Sequence, residues 1–298
     1  IAAIAAITGM VALLIYSWPT VIELIRKADA FLLASSLVFL VLSNVCMAVL
    51  FWLIMQQETG VSSSKLVIGT FLLGQAAKYA PGRIWSVVLQ ATILRSSGRP
   101  SGLIFANLEL AIINVALVTC CGASFLIASS YGISSAAFAF LTGVILCRYL
   151  THARIARKSI ALLMKLIRRP PGQVSPIYAG NTLSARNEIM YVGWMAGFSV
   201  LYGFGWLLLA EATIADGAVA GARVVASVSM SHVAGVVSLL PSGIGAREGA
   251  LLILSPIGGI PYVDMAAFAV LSRAALLVID AISAFLGYCI VRVHWNGR

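Results

Sequence analysis

The chain has 298 residues, 61% of them hydrophobic and only 10% charged, with a formal net charge of +10 at pH 7. Soluble domains carry about 25% charged residues, so a water-soluble globular fold is excluded. Apolar runs too long for barrel strands indicate an all-α integral membrane protein, a single polytopic domain over 1–298. The basic surplus falls between the apolar runs, as loops held on the cytoplasmic side do, and this argues against a nucleic-acid partner.

Residues 1–17 are apolar, with no basic leader and no small-residue cleavage site. They predict a helix rather than a signal peptide, and the chain is expected to continue upstream of Ile1. Residues 18–29 then read as the first loop, with Glu23 and Asp29 balancing Arg26 and Lys27. A long apolar run follows at 30–55. The next two runs, 66–80 and 83–96, are short. At 1.5 Å per residue the first reaches about 22 Å, against a hydrocarbon core of about 30 Å. Pro81 lacks a donor and disfavours helix at Ala80, and Gly82 relaxes the turn. Residues 66–96 therefore predict a re-entrant helical hairpin.

Full spans follow at 103–128 and 133–149. Residues 154–169 are basic and amphipathic, either an interfacial helix that attracts anionic lipid or a plain orienting loop. After Pro170 and Pro171 a linker leads to the run at 187–210. Residues 221–256 predict a second hairpin, with its tip near Pro241–Gly245, and 263–291 the last span. The five cysteines show no metal-like spacing and predict free thiols.

The halves correspond. Pro81 and Pro241 are 160 residues apart, and Pro100 and Pro261 are 161 apart. The expected organisation is repeat one at about 30–149, a basic cytoplasmic linker at about 150–186, and repeat two at about 187–292. Three full spans in the first repeat invert the second. The predicted fold is thus about six full spans plus two re-entrant hairpins in an inverted repeat, with both termini cytoplasmic. The alternative is eight spans with two broken helices, which would put the basic C-terminus outside and fits the charge pattern less well.

Ionisable groups at membrane depth are functional candidates by default. At the first tip these are Lys78 and Arg83, beside Pro81 and Gly82. Free backbone N–H groups at the outbound half-helix, Lys78 as a point charge and Arg83 as a fork would suit a phosphate. The alternative is that both cations reach water or pair with a carboxylate. At the second tip Gly243 and Gly245 allow close backbone approach, and Arg247 and Glu248 open the next half-helix. Glu248 either caps that helix or takes part in gating or proton coupling. Glu109, Asn107 and Asn114 lie on 103–128, and Arg273 and Asp280 share a face of 263–291. Asp280 reads as a structural ion-pair partner. His232 is a proton sensor or a single polar contact in the bundle. No metal site, nucleophile elbow or P-loop is present, so an enzyme and a cofactor are not expected.

The stretches Lys78-Tyr79-Ala80-Pro81-Gly82-Arg83-Ile84-Trp85 and Leu240-Pro241-Ser242-Gly243-Ile244-Gly245-Ala246-Arg247-Glu248-Gly249-Ala250 resemble the two signatures of the lysylphosphatidylglycerol synthase transmembrane-region family. The first is closer to its stand-alone branch. The resemblance implies a bacterial or archaeal cell-membrane protein that moves lipids between leaflets. In the aminoacyl-lipid branch the catalytic domain is a separate soluble module, and this chain has none. Cations at both tips favour a phosphate-bearing headgroup, from a phospholipid or a polyprenyl-phosphate-linked lipid, over a cationic one. Lys78, Arg83, Arg247 and Arg273 would bind it, and Glu248 and Glu109 would hold the arginines in the empty state. The alternatives are a secondary transporter of a small anionic solute and a non-catalytic membrane subunit of a lipid-modifying or glycosyltransferase system. Expected partners are membrane lipids, with a second copy of the chain or a lipid-synthesising enzyme beside them.

Overall fold

The computed structural model describes residues 18–59, 63–79, 85–94, 100–151, 185–214, 217–238 and 243–296. All regular structure among them is helical. In chain order the helices are α1 (18–27), α2 (Ala30–Thr59), α3 (Ser64–Ala77), α4 (Trp85–Ile93), α5 (Pro100–Tyr131) and α6 (Ile133–Thr151). The second half continues with α7 (Ala185–Thr213), α8 (Ala218–Val237), α9 (Ala246–Ile253), α10 (Ser255–Gly258) and α11 (Tyr262–Asn296). The predicted helix at 1–17 and the basic segment 154–169 lie outside the described residues.

Among the described residues five helices are long and apolar enough to cross a membrane: Ala30–Gln57, Gly102–Tyr131, Glu188–Thr213, Val219–Val237 and Tyr262–His294. Ser64–Ala77 and Ile133–Tyr149 are shorter apolar helices. The chain is therefore a helical membrane protein with several apolar helices. The two hairpin arms differ. At 14 residues α3 rises about 21 Å. At 20 residues α8 rises about 30 Å, a full hydrocarbon core.

The expected loop at 18–29 is instead mostly helix. Lys27 pairs with Glu23 one turn back at 2.5 Å. Val21 and Leu24, three apart, bury against Ala267 of α11. Asp29 then starts α2, its Oδ1 accepting the N–H of Phe31 at 2.8 Å and of Leu32 at 3.2 Å. A short loop with apolar residues three apart folds as a helix because α11 offers those residues a dry surface.

The core is assembled by exchange between the halves. α2 runs along α7. The first hairpin arm, α3, packs on α11, and the second, α8, packs on α5. Swapping the halves maps these contacts onto themselves, as it does α3 on α4 and α8 on α9. Each hairpin thus rests on the long helix that follows the other hairpin.

Glycine makes both seats. A Cβ at Gly287 of α11 would strike backbone atoms of Gly69, Leu72 and Leu73 in α3. A Cβ at Gly122 of α5 would fall 2.6 Å from Ser229 Cβ of α8. Small residues let helices approach closely enough for dispersion and interhelical polar contacts to replace a hydrophobic driving force that lipid does not supply. Larger side chains such as Phe138, Ile145 and Phe285 are exposed on the outside of the bundle, where hydrocarbon is their solvent.

Gly287→Ala is expected to lower stability by about 1–3 kcal/mol, since backbone cannot yield as a side chain does. Gly193 meets nothing within 4 Å, so Gly193→Ala should be neutral or stabilising by up to about 1 kcal/mol. Thermal unfolding of the two variants in detergent checks the contrast. Equal melting temperatures would remove the glycine seat as a stabilising feature.

Candidate functional site

The first tip follows α3. Lys78 Nζ contacts Asp280 Oδ1 of α11 at 2.8 Å and Gln75 Oε1 at 3.2 Å. Tyr79 donates its hydroxyl to the other carboxylate oxygen, Oδ2. Asp280 is buried, at 3% side-chain exposure, whereas Lys78 keeps 37%. The lysine charge is thus balanced on one side and open on the other. Lys78 therefore pairs with a carboxylate and also reaches a neighbouring cavity. Pro81, Gly82 and Arg83 lie outside the described residues.

The second tip leads into α9. Pro241 is outside the described residues, but Gly243 and Gly245 are within them at φ +66° and +83°, backbone that side chains with a Cβ resist. Glu248 turns back so that its Oε2 accepts the Gly245 N–H at 2.7 Å, half of a capping box. Its Oε1 faces Arg273 Nε of α11 at 3.6 Å. Both side chains are buried, so the capping carboxylate also neutralises an arginine from the neighbouring helix.

Arg247 takes a different course. A Cβ on Gly235 would overlap its Cγ, so the bare backbone of α8 is what leaves room for the arginine stem. Arg247 Nη2 then lies 3.3 Å from His232 Nδ1, and His232 Nε2 lies 3.0 Å from Asn114 Oδ1. A guanidinium can only donate. Nδ1 is therefore the acceptor, and Nε2 carries the proton and donates to Asn114. The Tyr202 ring meets the imidazole edge-on, with centroids 6.0 Å apart, and fixes its plane.

The two tips form one electrostatic group. Lys78 interacts with Asp280, Arg247 and Arg273, and Arg247 with Arg273, Glu248 and Asp280. Beside this group is a cavity of about 290 Å³. Its polar wall is Asn44 of α2, Gln75 and Lys78 of the first arm, Asn107 and Asn114 of α5, and His232 of the second arm.

Glu109, expected to hold the tip arginines, sits elsewhere. Asn107 and Asn114 are seven apart and share the cavity face of α5, so Glu109, two residues on from Asn107, points well away from it. It interacts with Arg148 and Tyr191. Arg148 binds Glu188 through Nε at 2.8 Å and Nη2 at 2.7 Å, and its guanidinium stacks 4.2 Å over the Tyr191 ring. This bidentate pair ties α6 to α7 across the 150–186 region.

Sequence reasoning missed Asn44 and Gln75. The signal was available, since each is a carboxamide within an apolar run and Gln75 is one turn before Lys78. Gln90 was missed as well. It is buried and accepts from Asn107 Nδ2 at 2.8 Å, which ties the outbound arm α4 to α5. Among the described residues no cluster of three or more His, Cys, Asp or Glu is placed to hold a metal ion. The chain matches no family model, no curated protein and no solved structure.

Removing Asp280 leaves Lys78 half-desolvated without its partner. Asp280→Ala is expected to cost about 1–3 kcal/mol, less than for a fully buried pair because Lys78 reaches the cavity. Adding Lys78→Gln to Asp280→Ala should recover much of the loss. A double-mutant cycle by thermal unfolding measures the coupling, and strict additivity would mean that the pair does not stabilise the tip.

Proposed function

We propose that this protein is a flippase-like transporter that moves a lipid with a phosphate-bearing headgroup between bilayer leaflets, without covalent chemistry. The observation that carries the reading is a cavity within an apolar bundle walled by Lys78, His232 and four carboxamides, with Arg247 held against His232 behind that wall. Broken helices at matching places in two repeats are where transporters bind substrate. The cavity is near the lower bound of ligand pockets, about 300 Å³. It suits a headgroup and not a whole lipid, so the acyl chains would stay among the exposed apolar side chains outside.

In this reading the two repeats are inverted and both hairpins enter the membrane from opposite faces, with about six full spans around them. The length of α3 supports a half-depth arm. The full-core length of α8 implies that the second tip lies deeper or that its arm is tilted. The chain would be a multi-pass protein of a bacterial or archaeal cell membrane with cytoplasmic termini. The motif resemblance to the lysylphosphatidylglycerol synthase transmembrane-region family supports the same class. A second copy or a lipid-synthesising enzyme are natural partners.

A second reading, a non-catalytic membrane subunit, draws on the ion pairs Lys78–Asp280 and Glu248–Arg273, which already neutralise part of the tip charge. The cavity favours transport over it.

Liposomes carrying the protein and fluorescent lipids, scored with an impermeant quencher, separate the readings. Anionic phospholipid should cross leaflets faster than in empty liposomes. Arg247→Gln should slow this at least about tenfold, the worth of one charge-assisted hydrogen bond. Gly235→Ala should do the same by displacing the arginine stem. No acceleration for any lipid, with correctly inserted protein, would overturn lipid transport and favour a transporter of a small anionic solute or the subunit reading.

A further inference from the structure

The cavity wall says more than that a phosphate fits. Four carboxamides, Asn44, Gln75, Asn107 and Asn114, converge on it from three helices. Their internal bonds use only part of their capacity. Asn107 gives its amide hydrogens to Gln90 Oε1 at 2.8 Å and the Leu103 carbonyl at 2.9 Å, which leaves its Oδ1 as an acceptor. Asn44 donates to Ser283 Oγ at 3.1 Å and likewise keeps Oδ1. Gln75 accepts from Lys78 through Oε1 and keeps its amide as a donor. Asn114 accepts from His232 through Oδ1 and keeps its amide too.

The wall thus retains acceptors on Asn44 and Asn107 and donors on Asn44, Gln75 and Asn114. A hydroxyl is the group that both donates and accepts. An ammonium offers three donors and no acceptor, so the amides of Gln75 and Asn114 would be left facing N–H groups. Polar groups left unmatched in a dry bundle are costly. Charge points the same way. Among the described tip residues Lys78, Arg247 and Arg273 stand against Asp280 and Glu248, three cations to two carboxylates. A phosphodiester balances positive charge among these described residues, whereas an amine adds to it.

We propose that the cavity recognises a monoanionic phosphodiester headgroup bearing several hydroxyls, a polyol or a sugar, and discriminates against amine headgroups. The proposal rests on the headgroup-transport reading above. Lys78 and Arg247 take the phosphate oxygens, while Gln75 and Asn114 donate to, and Asn44 and Asn107 accept from, the hydroxyls.

The test is calorimetric titration of the full chain in nanodiscs with short-chain dioctanoyl lipids of matched tails. Phosphatidylinositol should bind at least about tenfold more tightly than phosphatidylmethanol, which has the same phosphodiester and no headgroup hydroxyl, since two or more hydrogen bonds separate them. Phosphatidylethanolamine should bind more weakly than either. Asn44→Leu, which leaves the contacts of Lys78 and Arg247 as they are, should shrink the ratio of phosphatidylinositol to phosphatidylmethanol affinity. Arg247→Gln should weaken both. Equal binding of phosphatidylinositol and phosphatidylmethanol to the unaltered protein would overturn the hydroxyl assignment and leave the phosphate reading standing. Tightest binding of phosphatidylethanolamine would overturn the charge argument. Binding of soluble glycerophosphoinositol as tight as that of the lipid would uphold hydroxyl recognition and overturn a lipid substrate. Binding of none of these would overturn both.

Discussion

The fold depends on the close approach of each hairpin arm to the long helix that follows the other hairpin. Gly287 lets α11 lie against the backbone of α3, and Gly122 lets α5 lie against α8. In lipid no hydrophobic force drives helices together, so packing density and polar contacts must do so. Two such seats, exchanged between the halves, prevent either half from closing alone. They also bring the tips together, because an arm seated on the opposite half's helix carries its tip toward the other tip. Asp280 and Arg273 are on α11, seven residues apart, so one face of one helix meets Lys78 from the first hairpin and Glu248 from the second.

The charges at this meeting point are arranged in tiers. Asp280 and Glu248 are almost fully buried and each also accepts a second hydrogen bond, from Tyr79 and from the Gly245 backbone. Carboxylates so satisfied can persist where isolated ones could not. Lys78 lines the cavity, and Arg247 stands behind its wall in contact with a neutral histidine that lines it. Structural and ligand-facing cations are therefore separated by their partners, not by residue type. His232 owes its tautomer to Arg247 on one side and Asn114 on the other, which makes it a positioning group for the arginine.

Much of this was legible beforehand, and the exceptions have definite causes. Long apolar runs can only be helices in a membrane, so α2, α5, α7 and α11 follow from composition alone. Charges inside apolar runs marked Lys78, Arg247, Glu248 and Arg273. The segment at 18–29 misread as a loop because four charges and a proline hid Val21 and Leu24, whose burial depends on α11. Glu109 was expected to hold the tip arginines because it is an acid within an apolar run, and only the packing shows that it meets Arg148 and Tyr191 instead.

The sequence by itself determined the helical membrane class and the inventory of charges within the apolar runs, since hydropathy and ionisation are local properties. The tertiary structure alone decided which charges pair, that Lys78 faces Asp280 and Arg273 faces Glu248, and that four carboxamides from three helices share one cavity. Those outcomes turn on helix rotation and on contacts between residues as far as 239 positions apart, as with Asn44 and Ser283, and only the packing of the two halves fixes them.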